Sequence, residues 1–157
     1  MTEPADIVAA LRRRSATVAT AESLTGGMVC ADLVNVAGAS DVVRGGVVAY
    51  ATDVKKWLLD VPAELVDRVG TVDPEVASAM AEGARARLGA TFGVATTGVA
   101  GPDPSEDKPV GTAHIAVAGP DAVTTRAYAF GGDRASVRRQ ATQAALGLLS
   151  ERLDAPA

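Results

Sequence analysis

Ser23 lies in the segment Ala21-Glu22-Ser23-Leu24-Thr25-Gly26-Gly27, where an apolar stretch meets a glycine-opened helix, and Lys55 and Lys56 follow shortly after Tyr50. A serine hydroxyl is a weak nucleophile until a neighbouring base takes its proton, and a lysine can do so only when neutral. With a reference pKa near 10.4, a lysine costs about 4.6 kcal/mol to deprotonate at pH 7, so burial or nearby positive charge must lower its pKa by roughly three units. The pairing spells a Ser/Lys hydrolase. With a single histidine, His114, and a single cysteine, Cys30, most other nucleophile-and-base arrangements are short of parts.

A plainer reading stands beside this one. Ser23 and Thr25 are good helix N-caps, Gly26 and Gly27 permit close packing, and lysines early in an amphipathic helix are usually solvated. If the helix opens at Thr25-Gly26-Gly27, its exposed N–H groups and positive dipole end also suit an oxyanion or a phosphate.

Other signatures fail on inspection. No two glycines are separated by a single residue, so no G-x-G-x-x-G fingerprint exists, and no G-x-x-x-x-G-K-[ST] loop is present. Ser105-Glu106-Asp107-Lys108 matches S-x-x-K, but that motif needs a helix, and Pro109 closes a loop-like tract. His114 reads as an ordinary strand residue, and Asp103 and Asp107 as solvated acids. One cysteine excludes an internal disulfide framework and a Cys-rich zinc site, so no metal is expected and Cys30 reads as core. A net charge of −4 and 3% aromatic residues disfavour nucleic acid, which needs basic surface and stacking platforms. No basic leader or bilayer-length apolar run appears, so no membrane partner is expected and the cytoplasm is the default location.

The chain's 157 residues fit one domain, read as 1–157. Apolar spacing predicts helices over 4–14 and 25–37, with Gly38 at the latter's C-terminus, then a short helix holding Val54, Trp57 and Leu58. Further helices are expected over 62–69, 74–88 after Asp73 as N-cap, and 133–153. Strands are expected at 17–20, 46–50 and 91–97, with a hairpin of 111–118 and 122–130 around Gly119-Pro120-Asp121. Residues 98–109 are too rich in Gly, Pro and charge for regular structure. The class is α/β: three layers, α/β/α, around a mixed, mostly parallel sheet with one antiparallel hairpin. Ser23, Tyr50, Thr97 and Gly98 all fall at predicted strand ends, the edge where such folds bind ligands.

Over about residues 5–152 the chain resembles the C-terminal domain family of the competence/damage-inducible protein CinA, whose members include the nicotinamide-nucleotide amidohydrolase. The landmarks are TAESLTGG at 20–27, GGVVAY at 45–50 with Lys55 five residues on, MAEGA at 80–84, TTGVAGP at 96–102, KPVGT at 108–112 and GGDRASVRRQA at 131–141. The resemblance implies deamidation of nicotinamide mononucleotide to nicotinate mononucleotide and ammonia, with no cofactor or metal. Position by position it implies Ser23 as nucleophile, Lys55 rather than Lys56 as base, and Tyr50 as a hydroxyl partner near them. Thr25, Gly26, Gly27, Thr97, Gly98, Arg134 and Arg138 are the expected substrate-binding residues. Gly26 and Gly27 offer backbone N–H groups to the phosphate; Arg134 and Arg138, one turn apart, offer charged forks or merely pair with surface acids.

Leu24 departs from the pattern, since the family often has cysteine after the nucleophile. Many relatives also carry a large N-terminal domain, so the chain reads as a stand-alone form, and the family implies a homo-oligomer, a dimer or a multiple of dimers. Two alternatives remain: a catalytically silent nucleotide-binding module working with a partner, and a serine hydrolase of another amide or ester. Against the last stand the absent G-x-S-x-G elbow and triad histidine.

Overall fold

The computed structural model describes residues 2–155; Met1, Pro156 and Ala157, the ends of the span read as one domain, lie outside the described residues. Strands β1 (Val18–Glu22), β2 (Val43–Val48), β3 (Phe92–Gly98), β4 (Thr112–Ala118) and β5 (Val123–Ala129) form a five-stranded sheet in the order β2-β1-β3-β4-β5. β1 pairs in parallel with β2 and β3, while β4 runs antiparallel to both β3 and β5. Four strands therefore point one way, as the mostly parallel reading with a hairpin anticipates. Every residue of β1 is buried, as expected of a parallel strand covered on both faces.

Helices cover the two faces. On one lie α1 (Pro4–Arg13), α2 (Met28–Val34) and α6 (Arg134–Asp154); on the other lie α3 (Thr52–Leu59), α4 (Ala63–Val69) and α5 (Pro74–Arg87). Pleating sends alternate strand residues to opposite layers. Val18, Val94, Ile115 and Val117 meet Leu11, Leu146 and Leu149 in the first layer, and each such buried side chain contributes about 1.5–3 kcal/mol. The second layer is rich in alanine, with Ala19, Ala21, Ala95, Ala116 and Ala118 of the sheet and Ala77, Ala81 and Ala84 of α5 beside Leu59, Val76 and Met80. The helix lies close: a Cβ on Gly93 would stand 2.0 Å from the Ala81 carbonyl oxygen, and one on Gly83 would stand 2.1 Å from that of Leu59. α5 thus seats α3 as well as the sheet.

The long helices begin where the sequence says. Asp73 accepts the Glu75 N–H at 2.8 Å with Pro74 next, and Asp133 accepts the Ser136 N–H at 2.8 Å. Two expectations need correction. The helix anticipated at 25–37 is only Met28–Val34, because Gly26 and Gly27 take φ of 60° and 103° and hold a turn instead. Gly38 is left-handed as expected, but it opens a 3₁₀ turn at Ala39–Asp41 rather than closing the helix, whose C-cap is Asn35. In α3 Lys55 is buried, against the plainer reading of a solvated lysine, together with Leu59, while Trp57 is 62% exposed.

Candidate active site

The C-terminal ends of β1, β2 and β3 share one sheet edge, and there the chain bends at Ser23, Ala49-Tyr50 and Gly98. Ser23 is held by its own backbone, its N–H donating to the Thr96 carbonyl at 3.0 Å and to Thr96 Oγ1 at 3.3 Å, while its carbonyl accepts from the Gly26 N–H at 3.1 Å. α3 is fixed from below, where the Arg87 guanidinium donates to the Leu58 and Trp57 carbonyls. Arg87 thereby satisfies the last carbonyls of α3.

From that helix Lys55, 2% exposed, reaches the bend. Its Nζ lies 3.1 Å from Ser23 Oγ, 2.8 Å from the Ala49 carbonyl oxygen and 3.0 Å from that of Tyr50. Burial pushes its pKa down from the ordinary 10.5 to about 8, with the Glu106 charge opposing. The two carbonyls can only accept, so they claim two N–H bonds. The remaining direction on nitrogen faces Ser23, and in the neutral amine that direction carries the lone pair. A hydroxyl and an amine able to act as nucleophile and base are therefore in contact, with the amine oriented by two fixed groups.

A cavity of about 160 Å³ opens onto this pair, with Tyr50, Thr97, Gly98 and Arg134 also in its wall. Tyr50 enters through its backbone; its hydroxyl, on a 61% exposed side chain, accepts instead from Arg134 at 3.1 Å, and Arg134 also donates to the Gly101 carbonyl. Thr97 is buried and donates to the Thr71 carbonyl at 2.7 Å. At Gly98 a Cβ would stand 2.6 Å from the Thr112 carbonyl oxygen, so only glycine lets β4 approach there. A hollow of about 640 Å³ between α2 and α6, lined in part by Met28 and Phe130, is larger but contains neither Ser23 nor Lys55.

The remaining expected residues lie elsewhere. The N-terminus of α2 is capped by Glu22, whose 1% exposed carboxylate accepts the N–H groups of Val29 at 2.8 Å and Cys30 at 3.0 Å and the Thr25 hydroxyl at 2.6 Å. Neither Ser23 nor Thr25 caps the helix, since Gly27 is the N-cap residue. The Gly26 N–H donates to the Ser23 carbonyl. Arg138 donates to the Leu24 and Thr25 carbonyls, in space that a side chain on Gly26 would crowd, its guanidinium then standing 3.1 Å from that Cβ. Leu24, the family departure, packs in the apolar core and also borders the cavity.

Sequence reasoning missed Thr71 and Val72, which line the cavity from the α4–α5 connection, and the cavity role of Ser105. No residue type there announces chemistry, so no local signal could have found the first two. Ser105 and Lys108 form no dyad: they close a tight turn through paired backbone bonds, and Lys108 Nζ lies 3.9 Å from Glu106. His114 pairs across the sheet with Thr97 outside the cavity, and burial lowers its pKa. Among the described residues no three His, Cys, Asp or Glu side chains gather to hold a metal, and no helix is long and apolar enough to cross a membrane.

Comparison with known proteins identifies the family and agrees with the fold. The model of the CinA C-terminal domain matches residues 2–153. A CinA-like protein of Frankia casuarinae is 52% identical over 147 residues, covering 94% of this chain and 34% of the relative. One from Anaeromyxobacter dehalogenans is 53% identical over 144 residues, covering 91% and 35%. The chain thus spans about a third of the length of these curated relatives. Among solved structures, the competence/damage inducible protein CihA of Agrobacterium tumefaciens superposes with a TM-score of 0.92 at 35% identity, covering 97% of this chain and 93% of that one. A CinA superfamily protein of Klebsiella pneumoniae gives 0.93 at 32% identity, covering 96% and 94%.

Proposed function

Because this chain belongs to the CinA C-terminal domain family, we propose that it is an amidohydrolase that converts nicotinamide mononucleotide and water to nicotinate mononucleotide and ammonia. The observation that carries the reading is the contact of Lys55 Nζ with Ser23 Oγ at 3.1 Å, the amine being oriented by the Ala49 and Tyr50 carbonyls.

Neutral Lys55 takes the Ser23 proton as Oγ bonds to the carboxamide carbon. The resulting ammonium gives that proton to the departing nitrogen, and ammonia leaves an acyl-serine ester. Water then attacks the ester carbon as Lys55 takes one of its protons, the Lys55 ammonium returns that proton to Ser23 Oγ as the ester bond breaks, and the acid product ionises to the carboxylate by losing its remaining proton to solvent. A pKa of about 8 leaves an appreciable neutral fraction at physiological pH while the ammonium remains a competent acid.

At about 160 Å³ the cavity is smaller than the roughly 300–1,000 Å³ of whole-ligand sites, which suits the reacting end of a nucleotide with its phosphate outside. Arg134, at the mouth and bonded to the Tyr50 hydroxyl, is the guanidinium that serves the phosphate. Arg138, occupied by backbone carbonyls, supports the bend instead.

The test is ammonia and nicotinate mononucleotide release by purified protein, before and after exhaustive chelation. Equimolar products at an unchanged rate are expected. Binding of the nucleotide without ammonia release would favour the silent module, and loss of rate on chelation with rescue by a divalent ion would overturn the metal-free mechanism.

A further inference from the structure

The segment 98–109 reads from sequence as an irregular loop, yet its tip is a built turn. The Ser105 N–H donates to the Lys108 carbonyl at 3.2 Å and the Lys108 N–H to the Ser105 carbonyl at 2.9 Å. Between them Glu106 and Asp107 take φ of 53° and 58°. Such a two-residue turn needs left-handed backbone at both central positions and ordinarily uses Asn or Asp followed by Gly. Glutamate, with no short polar group to bond locally, is a poor choice there, so something outside the turn must hold it.

What holds it is the α4–α5 connection. The Glu106 carboxylate accepts the Thr71 N–H at 2.9 Å, the Thr71 hydroxyl at 2.7 Å and the Val72 N–H at 2.9 Å. These are charge-assisted bonds from three converging donors. Gly70 makes room, since a Cβ there would stand 2.7 Å from Glu106 Oε2. Thr71, Val72 and Ser105, which this contact joins, form the wall of the cavity onto which Ser23 and Lys55 open, and the Thr71 carbonyl is tied in turn to Thr97.

We propose that Glu106 is a positioning residue for the amide hydrolysis: by latching the 105–108 turn to Thr71 and Val72, it forms the wall against which the substrate's carboxamide end is aligned over Ser23. The inference rests on the hydrolase reading for its kinetic consequence, while the latch itself does not. Glu106 touches neither Ser23 nor Lys55; apart from the pull of its charge on the Lys55 pKa, its effect passes through the shape of the cavity.

Two variants of the full chain test it. Glu106→Ala removes every acceptor, whereas Glu106→Gln keeps one carbonyl oxygen for the same donors. In Glu106→Ala, KM for nicotinamide mononucleotide should rise about tenfold or more, with kcat changed less, because alignment is lost while the reacting pair remains. Glu106→Gln should recover part of that loss. Hydrogen exchange at the Thr71 and Val72 amides should quicken in Glu106→Ala and less so in Glu106→Gln. A KM within about twofold of the parent in Glu106→Ala overturns the proposal. So does unchanged exchange at the two amides, and that measurement decides even if the parent releases no ammonia, an outcome that would sink the hydrolase reading alone. If Glu106→Ala fails to fold, the same two readouts on Glu106→Gln against the parent carry the decision.

Discussion

Two buried ionisable side chains flank Ser23, and the fold solvates them with opposite ends of the peptide group. Glu22 leaves β1 toward α2 and is surrounded by N–H groups and a hydroxyl. Lys55 arrives from the other layer and is surrounded by carbonyls and the Ser23 hydroxyl. Every partner of Glu22 belongs to the permanent structure. One partner of Lys55 faces a cavity and is free to react. The contrast teaches that a buried charge beside a nucleophile is no sign of catalysis by itself; what matters is whether one of its contacts can change during a reaction.

The sharpest way to break the contrast is to remove that changeable contact. Ser23→Ala should lower turnover by about four orders of magnitude or more, with unfolding little altered, because in the proposed mechanism the lost hydroxyl is the nucleophile and not a strut. Near-normal ammonia release by the folded variant would end the acyl-enzyme account.

Next comes the base. Lys55→Arg keeps the positive charge but cannot deprotonate, so the rate should fall about 10³-fold or more while the nucleotide still binds, read by calorimetry. In the parent the rate should climb with pH through about 8 as Lys55 loses its proton. Stability should follow a linked course. The unfolded chain holds this proton up to about 10.5 and the folded chain only to about 8, so the unfolded state binds more protons between those values. Stability therefore rises with pH across that window, by about 3 kcal/mol, and Lys55→Arg should lack this rise in denaturant titrations. Equal pH dependence in both proteins would mean that Lys55 is not the titrating group.

Glu22 should show the smaller and opposite signature. Glu22→Gln sets an amide N–H₂ against donors that it cannot satisfy, so stability should fall by about 2 kcal/mol. Activity per folded molecule should stay within a few-fold of the parent. A collapse of kcat in a well-folded Glu22→Gln protein would place Glu22 in the chemistry after all.

Where the sequence was legible, periodicity or an unusual residue pairing made it so. Apolar runs placed all five strands, and the Asp-Pro pair at 73–74 placed α5 to within a residue. Ser23 and Lys55 stood out because serine at a strand end and lysine near a second strand end are a chemical pair whose distance the topology closes. Glu22 did not stand out, since an acid at the end of a strand carries no mark of the helix it will cap. Arg134 and Arg138 were indistinguishable, being one turn apart on one helix; only the space left by Gly26 and the carbonyls of Leu24 and Thr25 separates their surroundings. α3 misled for a related reason, because a lysine and a tryptophan exchange their usual places when the lysine has three acceptors to reach.

The alanine layer under α5 has a consequence for how this protein can vary over generations. On the valine and leucine side of the sheet, volume lost at one position can be restored at another, so that side can drift through compensated exchanges. The alanine side has almost no volume to trade. Where the sheet meets α5 most of its side chains are already single methyl groups, and Gly93 and Gly83 stand where any carbon would strike a carbonyl. Neutral wandering should therefore run through one half of the core and stall in the other. A methyl group gained in the stalled half would lift α5, and with it α3, moving an amine on the far side of the layer away from its serine without touching either.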